Sequence, residues 1–92
     1  MEITHEELVE NIALKLAFAL DPQNKQEQSF CALGAAKLTN FVERNNLVHK
    51  WQAVVDAYIA IAKRNKKLSV FDIMDKLKQQ LQNKSNTTGV QL

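Results

Sequence analysis

The sequence contains few residues that break or cross-link regular structure. Its 92 residues include two glycines, one proline and one cysteine. At average usage of roughly 7% Gly and 5% Pro, about eleven glycines and prolines together would be expected. A chain with so few turn residues is predicted to be all helical. The single cysteine excludes an internal disulfide, and its apolar neighbours Phe30, Ala32 and Leu33 indicate that Cys31 is a small buried side chain rather than a nucleophile.

Long hydrophobic runs and a targeting pattern are also missing. The longest nearly apolar run, residues 12–20, contains Lys15 and is far shorter than the roughly 20 residues that span a bilayer. The first residues are acidic, whereas a secretory signal starts with a basic region. We therefore expect no membrane-spanning segment, no secretory signal and a cytoplasmic location.

Helix start signals divide the chain. Thr4 with an acidic residue three positions later forms a capping box, and Ser69 repeats this pattern. Asp21 followed by Pro22 fits a helix N-cap with proline at the first helical position. These signals predict helices at about 5–20, 22–44, 47–64 and 70–83.

The apolar residues recur at helical spacing within each predicted segment. The expected inner faces comprise Leu8, Ile12, Leu16, Ala19 and Leu20; Phe30, Leu33, Gly34, Leu38, Phe41 and Val42; Leu47, Val48, Trp51, Val54, Val55, Tyr58, Ile61 and Ala62; and Val70, Phe71, Ile73, Met74, Leu77 and Leu81. Trp51 is expected near the centre, and Gly34 is expected where another helix approaches closely. The sequence thus predicts an all-α fold, a compact bundle of four helices with short connections. It forms one domain over residues 1–84, followed by a flexible tail over 85–92.

Residues that could carry out catalysis do not converge in the sequence. Neither His5 nor His49 has a second metal ligand three or four residues later. No Walker, GxGxxG, HExxH or GxSxG pattern occurs. We therefore expect no catalytic residues, metal site, cofactor or small-molecule substrate, and predict that the protein is not an enzyme.

Charge is distributed unevenly along the chain. Residues 1–62 contain five Lys or Arg and eight Asp or Glu, a net charge of −3, whereas residues 63–92 contain seven and two, a net charge of +5. The basic candidates for contact with nucleic acid are Lys63, Arg64, Lys66, Lys67, Lys76, Lys78 and Lys84. Lysines interspersed with Asn and Gln suit contacts to phosphate and sugar, which position a protein without reading sequence. The alternative is that these residues form only a solvated face.

The first predicted helix has an acidic and apolar surface that is separate from its core face. Glu6 and Glu10, followed by Leu14 and Phe18, are the candidate protein-interface residues. An acidic first helix on one copy can meet a basic fourth helix on the next, which would give a head-to-tail contact.

Two functional hypotheses follow from these patterns. The first is a non-catalytic helical subunit of a larger assembly that contacts a nucleic-acid backbone without sequence specificity. In size and helical character such a chain is similar to the small subunits of nucleoprotein effector complexes such as CRISPR complexes, an analogy of type alone. The second is a protein-only adaptor, inhibitor or regulator that acts by protein–protein interaction or homo-oligomerisation.

Overall fold

The described part of the chain consists of helices joined by short connections. The structure, a computed structural model, describes the backbone of residues 3–90 and the side chains of residues 3–82. Its elements are α1 (His5–Leu20), α2 (Lys25–Arg44), a 3₁₀ turn (Val48–Lys50), α3 (Trp51–Arg64) and α4 (Val70–Val90). No strand occurs among these residues. The all-α prediction of four helices is confirmed.

Of the four predicted helix starts, those at Thr4 and Ser69 are confirmed. Before α1, the Thr4 hydroxyl accepts a hydrogen bond from the Glu7 backbone N–H at 3.1 Å, and the Glu7 carboxylate accepts one from the Thr4 N–H at 3.3 Å. Before α4, the Ser69 hydroxyl accepts from the Asp72 N–H at 3.1 Å, and the Asp72 carboxylate accepts from the Ser69 N–H at 3.4 Å. Both boxes satisfy backbone donors that a helix leaves without partners.

The predicted start of α2 at Pro22 is wrong. Asp21 adopts a left-handed conformation with φ of 47°, and its N–H still bonds a carbonyl in the last turn of α1. It therefore ends α1 instead of capping α2. The N-cap of α2 is Asn24, whose side chain accepts from the Glu27 N–H at 2.9 Å. A residue in the left-handed region closes a helix, so Asp21 and Pro22 belong to the connection.

The other helix limits also differ from the prediction. The 3₁₀ turn precedes α3, which begins at Trp51 rather than near Leu47. Asn46 makes the preceding turn with φ of 57°. The backbone of α4 continues to Val90, beyond the expected end at residue 83. Side chains from residue 83 onward lie outside the described part, and the flexible tail over 85–92 stays a prediction.

The core lies between all four helices. Helix α2 contacts α1, α3 and α4, while α3 also contacts α1 and α4. The buried apolar side chains are Leu8, Ile12 and Leu16 of α1, Cys31, Ala35, Leu38 and Val42 of α2, Val54, Val55, Tyr58, Ile61 and Ala62 of α3, and Val70, Ile73, Met74 and Leu77 of α4. Among described residues, Thr39 is the buried polar side chain in this region, and its hydroxyl donates to the Ala35 carbonyl at 2.7 Å.

Two residues expected to face the core are exposed, and the residue expected near its centre is not fully buried. Leu33 and Phe71 are 41% and 59% exposed, and Trp51 is half-buried. Leu33 lies two residues before buried Ala35, so helical geometry places it about 200° away on the opposite side of α2. The Phe71 ring lies at the surface beneath the Lys37 ammonium, whose nitrogen is 5.0 Å from the ring centroid. These side chains stay partly exposed because a domain of four short helices is too small to bury every apolar residue.

Candidate functional site

The predicted basic residues lie at the end of α3, in the connection to α4 and on α4 itself. The six with described side chains, Lys63, Arg64, Lys66, Lys67, Lys76 and Lys78, are all exposed. The ion pairs found among the described residues, His5–Glu43 and Lys15–Asp56, include none of them. The Lys84 side chain lies outside the described part. These six cations are therefore available to a ligand in solvent.

One group of these residues meets in a polar concavity between α3 and α4. Arg64 and Lys76 line it together with the amide side chains of Asn65, Gln79 and Gln80, around a volume of about 590 Å³. We call these five residues the basic patch. The Asn65 carboxamide oxygen also accepts from the Lys67 N–H at 3.1 Å, which orders the turn beside the patch. Two cations with amide donors form a surface suited to an anion with several oxygens.

The loop lysines have a different environment. Lys63 and Lys66 line a second concavity, between the α1–α2 and α3–α4 connections, which also contains Asp21 and Glu27. The nearby carboxylates offset the positive potential there, although neither forms an ion pair with these lysines. Asn65 lines this concavity as well as the one between α3 and α4, so the loop lysines adjoin the basic patch.

Lys78 belongs to a third surface, which the sequence interpretation did not anticipate. It lies two residues after Lys76, so helical geometry turns it about 200° away from the basic patch. It lines a groove between α2 and α4 that also contains Lys37 and Arg44 of α2. The sequence contained a signal for these two, because a spacing of seven residues puts them on one face of a helix.

This surface, which we call the α2–α4 groove, has an apolar floor and a polar rim. Its volume is about 1260 Å³. Its apolar lining residues are Phe41, Leu47, Phe71, Met74 and Leu81, and its polar ones are Lys37, Asn40, Arg44, Asn45, Asp75, Lys78 and Gln82. Three cations against one carboxylate make the rim basic. A basic rim around apolar side chains resembles a protein-binding groove more than a phosphate site.

The predicted protein-interface residues form a single stripe along α1. Glu6, Glu10, Leu14 and Phe18 follow one another at intervals of four residues and are all exposed. Leu14 is 57% and Phe18 is 84% exposed. We call these four residues the α1 stripe. It lies on the side of the helix opposite the buried residues Leu8, Ile12 and Leu16, so an acidic half continues directly into an apolar half.

Two ion pairs connect α1 to α2 and α3. The His5 imidazole Nδ1 lies 2.9 Å from a Glu43 carboxylate oxygen on α2, and the Lys15 ammonium lies 3.1 Å from the Asp56 carboxylate on α3. The hydrogen bond to Glu43, followed by the charge of Glu43, raises the pKa of His5 above its usual 6.5. The burial of Leu8, Ile12 and Leu16, rather than these exposed pairs, turns the stripe away from the bundle.

The buried thiol of Cys31 and the buried hydroxyl of Tyr58 both have raised pKa values. Burial, with a smaller effect of the Glu27 charge, raises the pKa of the Cys31 thiol. Burial also raises the pKa of the Tyr58 hydroxyl, whose oxygen has no hydrogen-bond partner among the described residues. A thiol with a raised pKa has little thiolate character, which agrees with the interpretation of Cys31 as a packing residue.

The described residues give no indication of a metal site or of a membrane-spanning helix. In the region that the structure describes, no three or more His, Cys, Asp or Glu side chains are grouped so that they could hold a metal ion. None of the helices described is both long and apolar enough to cross a membrane. Comparison with protein-family models, with curated proteins and with solved structures finds no match to the chain.

Proposed function

We propose that the chain is a non-catalytic helical subunit that contacts the phosphate backbone of a nucleic acid without sequence specificity. The observation that carries this proposal is the basic patch, where Arg64 of α3 and Lys76 of α4 line one polar concavity. Both side chains are exposed and neither belongs to an ion pair of the described residues. Such cations can release the counterions of a nucleic acid when they bind it.

The surroundings of the patch favour backbone contact over base recognition. Asn65, Gln79 and Gln80 add neutral donors and acceptors that can bond phosphate and sugar oxygens. None of the residues that line the patch is aromatic, so the stacking platform typical of many single-strand binders is missing there. The α1 stripe, which lies on another helix, would then hold the subunit in an assembly, and a cytoplasmic location stays a prediction.

The experiment measures binding of the full chain to unrelated single-stranded and duplex oligonucleotides at several salt concentrations. The test variant is R64Q/K76Q, and the matched control K25Q/K50Q removes the same charge from two exposed lysines outside the patch. We expect the test variant to bind every sequence more weakly and by the same factor. The slope of log affinity against log salt should flatten by about one for each phosphate that the variant no longer neutralises.

Three results would contradict the proposal. The unaltered chain could show no binding at low salt, the two double variants could lose affinity equally, or affinity could depend on base sequence. Equal losses would show that total charge, rather than the patch, attracts the nucleic acid.

The second candidate is a protein-only adaptor, favoured by the exposure of Phe18. A phenylalanine that is 84% exposed beside a half-exposed leucine is typical of a protein-binding surface. On this proposal, F18S lowers the mass of the assembly, whereas L33S, a change of an exposed leucine on α2, leaves it unaltered. Sedimentation velocity without any nucleic acid measures both, and unchanged mass for F18S would exclude the stripe.

A further inference from the structure

We infer that the α1 stripe of one copy of this chain binds in the α2–α4 groove of a second copy, so that the protein assembles head to tail. The inference rests on the proposed use of the α1 stripe as a protein interface and names its partner. The two surfaces are complementary in charge, in apolar character and in length.

The stripe and the groove carry opposite charge. The stripe begins with the exposed carboxylates of Glu6 and Glu10, and Glu7 lies between them in the same turn. The groove has Lys37, Arg44 and Lys78 around it, against one carboxylate. None of the three cations is in an ion pair among the described residues. Opposite potentials on two surfaces steer and orient their association.

Each surface also leaves apolar side chains in solvent. On the stripe these are Leu14 and Phe18, and in the groove Phe71 is 59% exposed, with Phe41 and Leu81 beside it. Burying these groups against one another would remove apolar area from water, which favours association. The groove therefore offers cations to the acidic half of the stripe and apolar side chains to its apolar half.

The lengths of the two surfaces also agree. From Glu6 to Phe18 the stripe extends about 18 Å along α1, and from Phe71 to Gln82 the α4 wall of the groove extends about 16 Å, at 1.5 Å per residue. One helix face would therefore fill the groove from end to end, in the manner of a helix that binds in a groove between two others.

The positions of the two surfaces determine the kind of assembly. The stripe faces away from the bundle on α1, and α1 makes no contact with α4 within the described structure. A chain therefore cannot insert its own stripe into its own groove. Because the contact joins two different surfaces, a pair leaves the groove of one copy and the stripe of the other free, and repetition leads to rings or filaments. A contact made by one helix face is small, so the mass should depend on concentration.

Two complementary variants test this arrangement. F18S/E10Q alters only the stripe, and R44E/K78E alters only the groove; because position 10 is neutral in the first, the altered stripe cannot pair with the altered groove. The matched controls are L33S/Q52K and K25E/K50E, which each change the net charge as much as the corresponding test variant at exposed residues outside both surfaces. Circular dichroism and a urea titration first establish that every variant folds like the unaltered chain. Sedimentation velocity over a range of protein and salt concentrations then gives the masses.

The expected pattern is specific to a head-to-tail contact. The unaltered chain and both controls should form oligomers that grow with concentration and shrink with salt. Each test variant alone should be a monomer. An equimolar mixture of the two should form dimers and nothing larger, because only one intact stripe and one intact groove remain to meet.

Other outcomes would overturn the inference in distinct ways. Continued association of R44E/K78E by itself would show that the stripe does not bind in the groove, and monomers in the mixture would show the same. A monomeric unaltered chain at every concentration would exclude self-association. Oligonucleotide binding by the patch, measured separately with R64Q/K76Q, would still decide the proposed function, so failure of one proposal is distinguishable from failure of the other.

Discussion

The Tyr58 hydroxyl lies directly against the backbone of Gly34, so that a Cβ atom at position 34 would be 2.8 Å from the phenolic oxygen. The same atom would be 3.3 Å from the Tyr58 ring and 3.3 Å from a methyl group of Leu16. This contact sets how closely α2 approaches α3 and α1. The glycine predicted at a close helix contact is confirmed, and its partner is a phenol that has no hydrogen bond among the described residues.

Replacing Gly34 with alanine should destabilise the fold. Alanine gains about 1 kcal/mol in helix propensity, but overpacking a rigid core costs about 1 to 3 kcal/mol, and the Tyr58 ring is fully buried. We expect a net loss of about 1 kcal/mol in the free energy of unfolding, measured by urea denaturation. The double variant G34A/Y58F should recover part of it. A gain in stability for G34A alone would show that the ring moves freely.

Replacing Tyr58 with phenylalanine should stabilise the protein. A buried hydroxyl without a partner loses its hydrogen bonds to water on folding, which costs about 1 to 3 kcal/mol, and phenylalanine keeps the ring. We expect the free energy of unfolding to rise by about 1 kcal/mol. The same urea titration measures this change, and a clear loss of stability would mean that the hydroxyl has a hydrogen-bond partner after all.

The stability contributed by His5 should depend on pH. Its pKa is raised in the folded state by Glu43, so the protonated form binds Glu43 and stabilises the fold. This contribution is fully present below the unfolded pKa of 6.5 and is lost as pH rises through the higher folded pKa.

The measurement is the difference in urea midpoint between the unaltered chain and H5Q at a series of pH values. We expect the difference to be largest below about pH 6.5 and to shrink as the pH rises through the raised pKa of His5. In E43Q, proton NMR should show the pKa of His5 falling towards its usual value. A midpoint difference that does not vary with pH would mean that the pair contributes nothing through protonation.

Asn46 should tolerate glycine but not alanine. Its φ of 57° lies in the left-handed region, which costs an L-residue with a Cβ roughly 1 to 2 kcal/mol. N46A should therefore lower the free energy of unfolding by about 1 kcal/mol, whereas N46G should leave it unchanged or raise it. Neighbouring Asn45 has φ of −108°, so N45G should bring no gain. Equal effects of glycine at both positions would contradict this account.

Two helix starts and one close helix contact were predictable because their signals lie in single residues or within one turn of the chain. Thr4 and Ser69 start helices because their hydroxyls bond backbone N–H groups only three residues away. Gly34 was identifiable because a mid-helix glycine costs stability unless space is needed. The prediction that Asp21 caps α2 was wrong, because Asp suits both an N-cap and a left-handed helix end. Which of the two it forms depends on how α1 and α2 pack.

The candidate sites show the same division. Exposure of the α1 stripe was predictable from helical spacing, because Glu6 and Phe18 lie opposite the core face. The grouping of the basic residues was not, because it depends on which helices are neighbours. Arg64 meets Lys76 across two helices, and Lys78 joins Lys37 and Arg44 across another pair.

The sequence by itself therefore determined the helical class, two helix starts and the charge of each segment, since these depend on residue type and on contacts within one turn. Only the tertiary structure decided that Lys78 lies apart from the basic patch, in a partly apolar groove between α2 and α4. The reason is physical: side-chain direction on a helix follows from spacing, whereas the side chain it meets on another helix follows from packing of the whole core.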